Sequence, residues 1–133
     1  MIVKIDIPSY AKIENYRTMT PEKKTAACKE GNKIAQNEWM IEEINEFYEA
    51  VNNEDEDEIL DEAMGLIRTA QQFQDSKRVM KKWELVKSDI FKVFSKKKTF
   101  IKTFKKWHHK KICKNQAIGV KPEHLIDFAG FTY

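Results

Sequence analysis

Apolar residues recur at every seventh position along much of this chain, and that period restricts the fold more than any other feature. Val79, Val86, Val93, Phe100 and Trp107 fall at strict sevens, with Trp83, Ile90 and Phe104 on a second seam. Earlier, Ala27, Ile34, Ile41 and Tyr48 keep the same interval, joined by Ile44 and Val51. Two helical turns advance about seven residues, so such rows form stripes that helices bury against one another. The expectation is an all-α fold, a helical bundle.

Local signals set the boundaries. Thr20-Pro21-Glu22 joins an N-capping side chain, a proline suited to the first helical position and an acid suited to the positive end of the helix dipole. A helix begins there, and its pattern either runs on through Gly31 or breaks at it. The polar run NNEDEDE at 52–58 ends the pattern and reads as a connection, after which Ile59, Leu60, Ala63, Ile67 and Ala70 resume helical spacing. From Lys77 the sevens predict one long helix, or two interrupted near 95–99. Residues 1–19 read as an extended arm, and 115–133, with two Gly and a Pro, as an irregular tail. The division is one domain over 1–133: core helices about 20–75, a basic helical extension about 77–114, and the tail.

Charge is divided unevenly. Residues 1–66 carry 7 Lys and Arg against 16 Asp and Glu, net −9, whereas residues 67–133 carry 17 against 5, net +12. Three arrangements accommodate this: an acidic half packed on a basic half, an acidic metal site faced by cations that hold a polyanion, or a nucleic-acid surface. The apolar runs fall far short of a membrane span, and MIVKIDIPSY lacks the pattern of a signal peptide. Cys28 and Cys113 form no disulfide framework and read as packing residues in a reducing, cytoplasmic setting.

The acids are the chemistry-bearing feature. At 100° per residue, with Ile41 as zero, the apolar stripe from Met40 to Val51 spans roughly 240–360°, while Trp39, Glu43, Glu46 and Ala50 fall near 140–200°. On the following helix Asp61, Gly65, Arg68 and Gln72 share a face with Glu58, away from Ile59, Leu60, Ala63 and Ile67. Gly65 costs a helix about 1 kcal/mol relative to Ala, which suits a close approach by a ligand or another backbone. Four carboxylates brought together in a bundle repel unless a cation balances them, and Mg²⁺ prefers such hard oxygen donors. The alternative is two solvated acidic helix faces.

Glu42-Glu43-Ile44-Asn45-Glu46 followed by Glu58-Ile59-Leu60-Asp61 resembles the E-E-x-x-E and E-x-x-D signature of the MazG-like, all-α nucleotide pyrophosphohydrolases, a superfamily that includes dimeric dUTPases and phosphoribosyl-ATP pyrophosphohydrolases. The resemblance covers residues about 20–75. A competing E-x-x-D at Glu54 and Asp57 lies in the polar connection and is set aside. The resemblance implies Mg²⁺-dependent cleavage of a (deoxy)nucleoside triphosphate between the α and β phosphates, with Mn²⁺ as a second usable ion. It implies metal ligation by Glu43, Glu46, Glu58 and Asp61, with Glu43 and Glu42 as the catalytic pair, Glu42 either supporting the ligands from behind or orienting water as a base. It further implies a homo-oligomer, dimer or tetramer, that completes the site between helices.

Arg68, Lys81 and Lys82 are candidate cations for the phosphate tail, or solvated basic residues. Trp39 is either a stacking surface for a nucleobase or a core residue, and Asn37, Gln36 and Lys33 are weaker candidates for contacts to base or sugar. His108, His109 and Cys113 lack the spaced fourth ligand of structural zinc, the acidic run lacks the EF-hand glycine, and neither a P-loop nor G-x-S-x-G is present. The run KKKTFIKTFKKWHHKK places Phe100, Phe104 and Trp107 on one face. That favours a packed amphipathic helix over the alternative function, a non-enzymatic nucleic-acid-binding protein that uses the basic half.

Overall fold

The computed structural model of the chain describes residues 20–93, 102, 105, 106, 109 and 127–130. Among these the regular structure is helical: α1 (Pro21–Cys28), α2 (Lys33–Asn52), α3 (Glu56–Gln72) and α4 (Lys77–Val93). The expected N-terminal arm, the interruption near 95–99, Cys113 and most of the tail lie outside the described residues.

The α1 start follows its sequence signal, with the Thr20 side chain accepting from the Lys23 N–H and Pro21 opening the helix. The alternative left open at Gly31 resolves as a break. Gly31 has φ 84°, a conformation glycine adopts without steric cost, and Asn32 then caps α2 by accepting from the Ala35 N–H. The break has a consequence for Ile34, which the sevens assigned to the buried stripe. It stands in the first turn of the new helix, 65% exposed.

The polar run contributes less connection than its composition suggests. The Asp55 side chain accepts from the Glu58 N–H, so α3 begins at Glu56 and only residues 53–55 link the two helices. Glu54 takes φ 54° within this tight turn. Three acids, Glu56, Asp57 and Glu58, occupy the first turn of α3, where the helix dipole favours negative charge. An antiparallel α2–α3 hairpin results.

Helix α4 returns parallel to α2 and packs on both partners. Asn37 of α2 meets Lys82 of α4, and eleven residues further along α2 the Tyr48 hydroxyl donates to Asp89 Oδ2 at 2.6 Å. Between the three long helices lie Met40, Ile44, Phe47, Met64, Leu66, Ile67, Trp83, Val86 and Ile90, all essentially solvent-free. The short α1 covers the start of α2, where the Gln36 amide donates to the Ala27 carbonyl at 3.2 Å. In the tail, 127–129 forms a helical turn rather than irregular chain. Phe128 stacks on Trp83 with ring centroids 5.6 Å apart, and Ala129 is buried. No described helix is long and apolar enough to cross a membrane.

Candidate metal centre

The register of the α2–α3 hairpin decides which acids meet. Counting outward from Glu54 in the turn, Glu46 and Glu62 each lie eight residues away, and Glu43 and Gly65 each lie eleven. Antiparallel helices of equal rise therefore bring Glu46 level with Glu62, and Glu43 level with Gly65. The side chains agree. Glu43, Glu46 and Glu62 each offer a carboxylate oxygen within 4.8 Å of the others.

Glu43 reaches this group in close approach to Gly65. A Cβ built at Gly65 would lie 3.3 Å from Glu43 Oε2. The close approach that the glycine suggested is thus made by a carboxylate from the facing helix. The other oxygen, Oε1, accepts the indole N–H of Trp39 at 3.2 Å. Trp39 and Glu43 stand four residues apart, one turn along the same helix face.

The electrostatics follow from crowding in a partly buried space. Burial raises the Glu43 carboxyl to about 7, with the Glu46 charge adding to it, while the Trp39 hydrogen bond and the Lys24 charge oppose the rise. Glu62 is pushed up to about 8, first by burial and then by a hydrogen bond to Glu46 and the charges of Glu46, Glu43 and Asp61. With no cation, the cluster relieves its repulsion by keeping protons.

The expected metal set of Glu43, Glu46, Glu58 and Asp61 is therefore brought together in part. Glu43 and Glu46 meet Glu62, which lies outside the E-E-x-x-E and E-x-x-D positions. Glu58 is exposed in the first turn of α3, one turn before Glu62, and belongs to no metal-capable group among the described residues. Asp61 is half-buried and contributes charge to Glu62 from outside the group. The E-x-x-D spacing directed attention to Asp61. Glu62 was nonetheless legible, since at 100° per residue it falls between Gly65 and the buried Leu66, on the edge of the face that meets α2. Glu42 is half-buried and adds charge to Glu43.

The candidate cations and substrate contacts separate spatially. Asn37 Oδ1 accepts from Lys82 Nζ at 2.5 Å on the α4 side of α2, about 120–180° around the helix from Glu43 and Glu46. Burial lowers the Lys82 pKa, with Arg78 and Lys81 adding to the effect. Lys81 is exposed on α4, Lys33 is exposed, and Gln36 is buried against α1. Lys82 with Asn37 thus ties α4 to α2, and Gln36 ties α2 to α1.

Arg68 lies on α3 one turn beyond Gly65, half-buried, and donates to Gln72 Oε1 at 3.2 Å; burial lowers its pKa. Cys28, expected to be packed, is exposed and receives the Gln72 amide at 3.7 Å. Lys24, not singled out from sequence, is the cation whose charge acts on Glu43. It lies on α1 three residues before the buried Ala27. Among the described residues of the basic extension, Lys102, Lys105, Lys106 and His109 are exposed, and His108 lies outside them.

Comparison with family models, with curated proteins and with solved structures finds no match to this chain.

Proposed function

We propose that the chain is a divalent-metal-dependent nucleotide pyrophosphohydrolase that cleaves a (deoxy)nucleoside triphosphate between its α and β phosphates. The observation that carries this reading is the convergence of Glu43, Glu46 and Glu62 beside the space left by Gly65. Three hard carboxylate oxygens in one small space fit Mg²⁺ or Mn²⁺, which take oxygen donors and leave positions for water and phosphate. When bound, such an ion neutralises phosphate charge and lowers the pKa of a coordinated water.

The chain's own residues supply the rest. Glu43, Glu46 and Glu62 hold the ion, Glu42 orients water beside Glu43, and Asp61 adds negative charge at the edge. Lys24, whose charge acts on Glu43, and Arg68, one turn beyond Gly65 on α3, are the cations suited to the phosphate tail. The reading includes a homo-oligomer in which a second copy covers exposed apolar residues such as Ile34 and Leu85.

The test is pyrophosphate release from a panel of standard and damaged (d)NTPs with Mg²⁺, with Mn²⁺ and with chelator. Metal-dependent release of pyrophosphate and monophosphate is expected. No release from any member with either ion would defeat the reading. Chelator-insensitive binding of nucleic acid that weakens steeply with salt would replace it with the nucleic-acid-binding alternative.

A further inference from the structure

We propose that Trp39 is a positioning residue for Glu43: its indole N–H, held in place by Phe73, fixes one carboxylate oxygen so that the other projects past Gly65 into the three-acid group. This inference rests on the reading of that group as a metal centre and assigns a side chain that holds it in shape.

Three contacts carry it. Trp39 Nε1–H donates to Glu43 Oε1 at 3.2 Å. The Trp39 ring meets Phe73 at 5.2 Å between centroids and 63° between planes, an edge-to-face pairing of the preferred kind. Glu43 Oε2 sits 3.3 Å from the position a Gly65 Cβ would take. A donor on α2 thus restrains one oxygen of Glu43, and the other lies in tight contact with the position where a side chain at residue 65 of α3 would begin. Phe73, buried at the end of α3, links the indole to the same helix that supplies Gly65 and Glu62.

The choice of tryptophan has a chemical reason. A glutamate side chain has several rotamers, and three carboxylates in proximity push one another apart. A directed hydrogen bond on Oε1 narrows those rotamers. A lysine or arginine would do so by neutralising Glu43, which removes the charge that attracts the ion. The indole N–H donates without carrying charge and cannot accept or lose a proton in the physiological range. It therefore orients the carboxylate while leaving its charge available. This differs from the nucleobase-stacking role considered for Trp39: the ring is engaged by Phe73 and packed against the core.

The experiment titrates Mg²⁺ or Mn²⁺ alone into the full chain by calorimetry, comparing wild type with Trp39→Phe, which keeps an aromatic ring beside Phe73 and removes the N–H. The expected result is ion affinity about tenfold weaker in Trp39→Phe, with circular dichroism and metal-free Tm close to wild type. A purely structural tryptophan would move the Tm and leave the affinity alone. Equal affinity in the folded variant overturns the proposal. Wild type that binds neither ion defeats the metal reading itself, and the positioning role with it. Should Trp39→Phe fail to fold, the wild-type indole resonance decides. The Trp39 Nε1–H signal in a heteronuclear NMR spectrum must shift with the same midpoint as ion binding, and a signal that stays fixed while the ion saturates overturns the proposal.

Discussion

Glu43 of α2 and Gly65 of α3 face each other so closely that a single methyl group at residue 65 would lie 3.3 Å from the Glu43 carboxylate. Gly65→Ala therefore sets two effects against each other. Alanine favours the helix by about 1 kcal/mol. Its Cβ displaces Oε2 by a few tenths of an ångström and strains the Trp39 bond that holds Oε1. The expected outcome is a metal-free Tm equal to or above wild type, together with several-fold weaker Mg²⁺ binding. Unchanged binding by calorimetry would show that the glycine serves packing alone.

Mg²⁺ should raise the Tm of the wild type, because an ion bound only by the folded state stabilises it, by about 2.7 kcal/mol at one hundred times the dissociation constant. The shift should vanish in Glu43→Gln and in Glu62→Gln, yet persist in Glu58→Gln, whose side chain is exposed and outside the group. Thermal melts with and without Mg²⁺ decide this. A shift lost in Glu58→Gln and kept in Glu62→Gln would restore Glu58 as the ligand.

The metal-free protein should become less stable as pH rises from about 5 to about 8.5. Glu43 and Glu62 titrate near 7 and 8 in the fold, above their ordinary value of 4.5, so over this window the folded state holds protons that the unfolded chain has released. The stabilisation is complete below the unfolded value and is lost as pH passes through the folded values. Glu62→Gln removes one titrating group and should flatten the Tm profile. A wild-type Tm that rises across this window would contradict the electrostatic description of the cluster.

Tyr48→Phe removes the hydroxyl that donates to Asp89 Oδ2 at 2.6 Å in the buried α2–α4 interface. Asp89 retains Lys92, 3.5 Å away. Urea unfolding should register a loss of about 1–3 kcal/mol, the range for a buried polar group deprived of its partner. Ion affinity should be unaltered, since this contact lies on the opposite side of α2. A loss of affinity matching the loss of stability would mean that the two faces of α2 are coupled.

Lys24→Ala and Arg68→Ala should each weaken triphosphate binding more than monophosphate binding, roughly tenfold or more for a charge-assisted contact. Lys82→Ala should leave both unaffected, because its ammonium is engaged by Asn37 on the α4 side. Titrations of both nucleotides in the presence of Mg²⁺ separate these outcomes. Equal losses for the two ligands would remove Lys24 and Arg68 from the phosphate tail.

The helices were legible in the sequence because what makes them is local. The Thr20-Pro21 start, the polar break after Val51 and the buried row of Val79, Val86 and Val93 all act within a few turns and reappear in α1 to α4, whereas Ile34 of the earlier row is exposed and Phe100, Phe104 and Trp107 lie outside the described residues. That Glu43 and Glu46 share a face with Trp39 is equally local, a consequence of 100° per residue on one helix. What required tertiary structure was the rotation and register of one helix against the next. Asp55 captures the Glu58 N–H and shortens the connection to 53–55, and this sets Glu62, rather than Glu58, level with Glu46. Lys82 went to Asn37 rather than towards the acids because α4 packs on the opposite side of α2 from Glu46. A repeat or motif specifies which residues share a helix face, but which faces meet depends on loop length and on the packing of all three long helices at once, and neither has a one-dimensional signature.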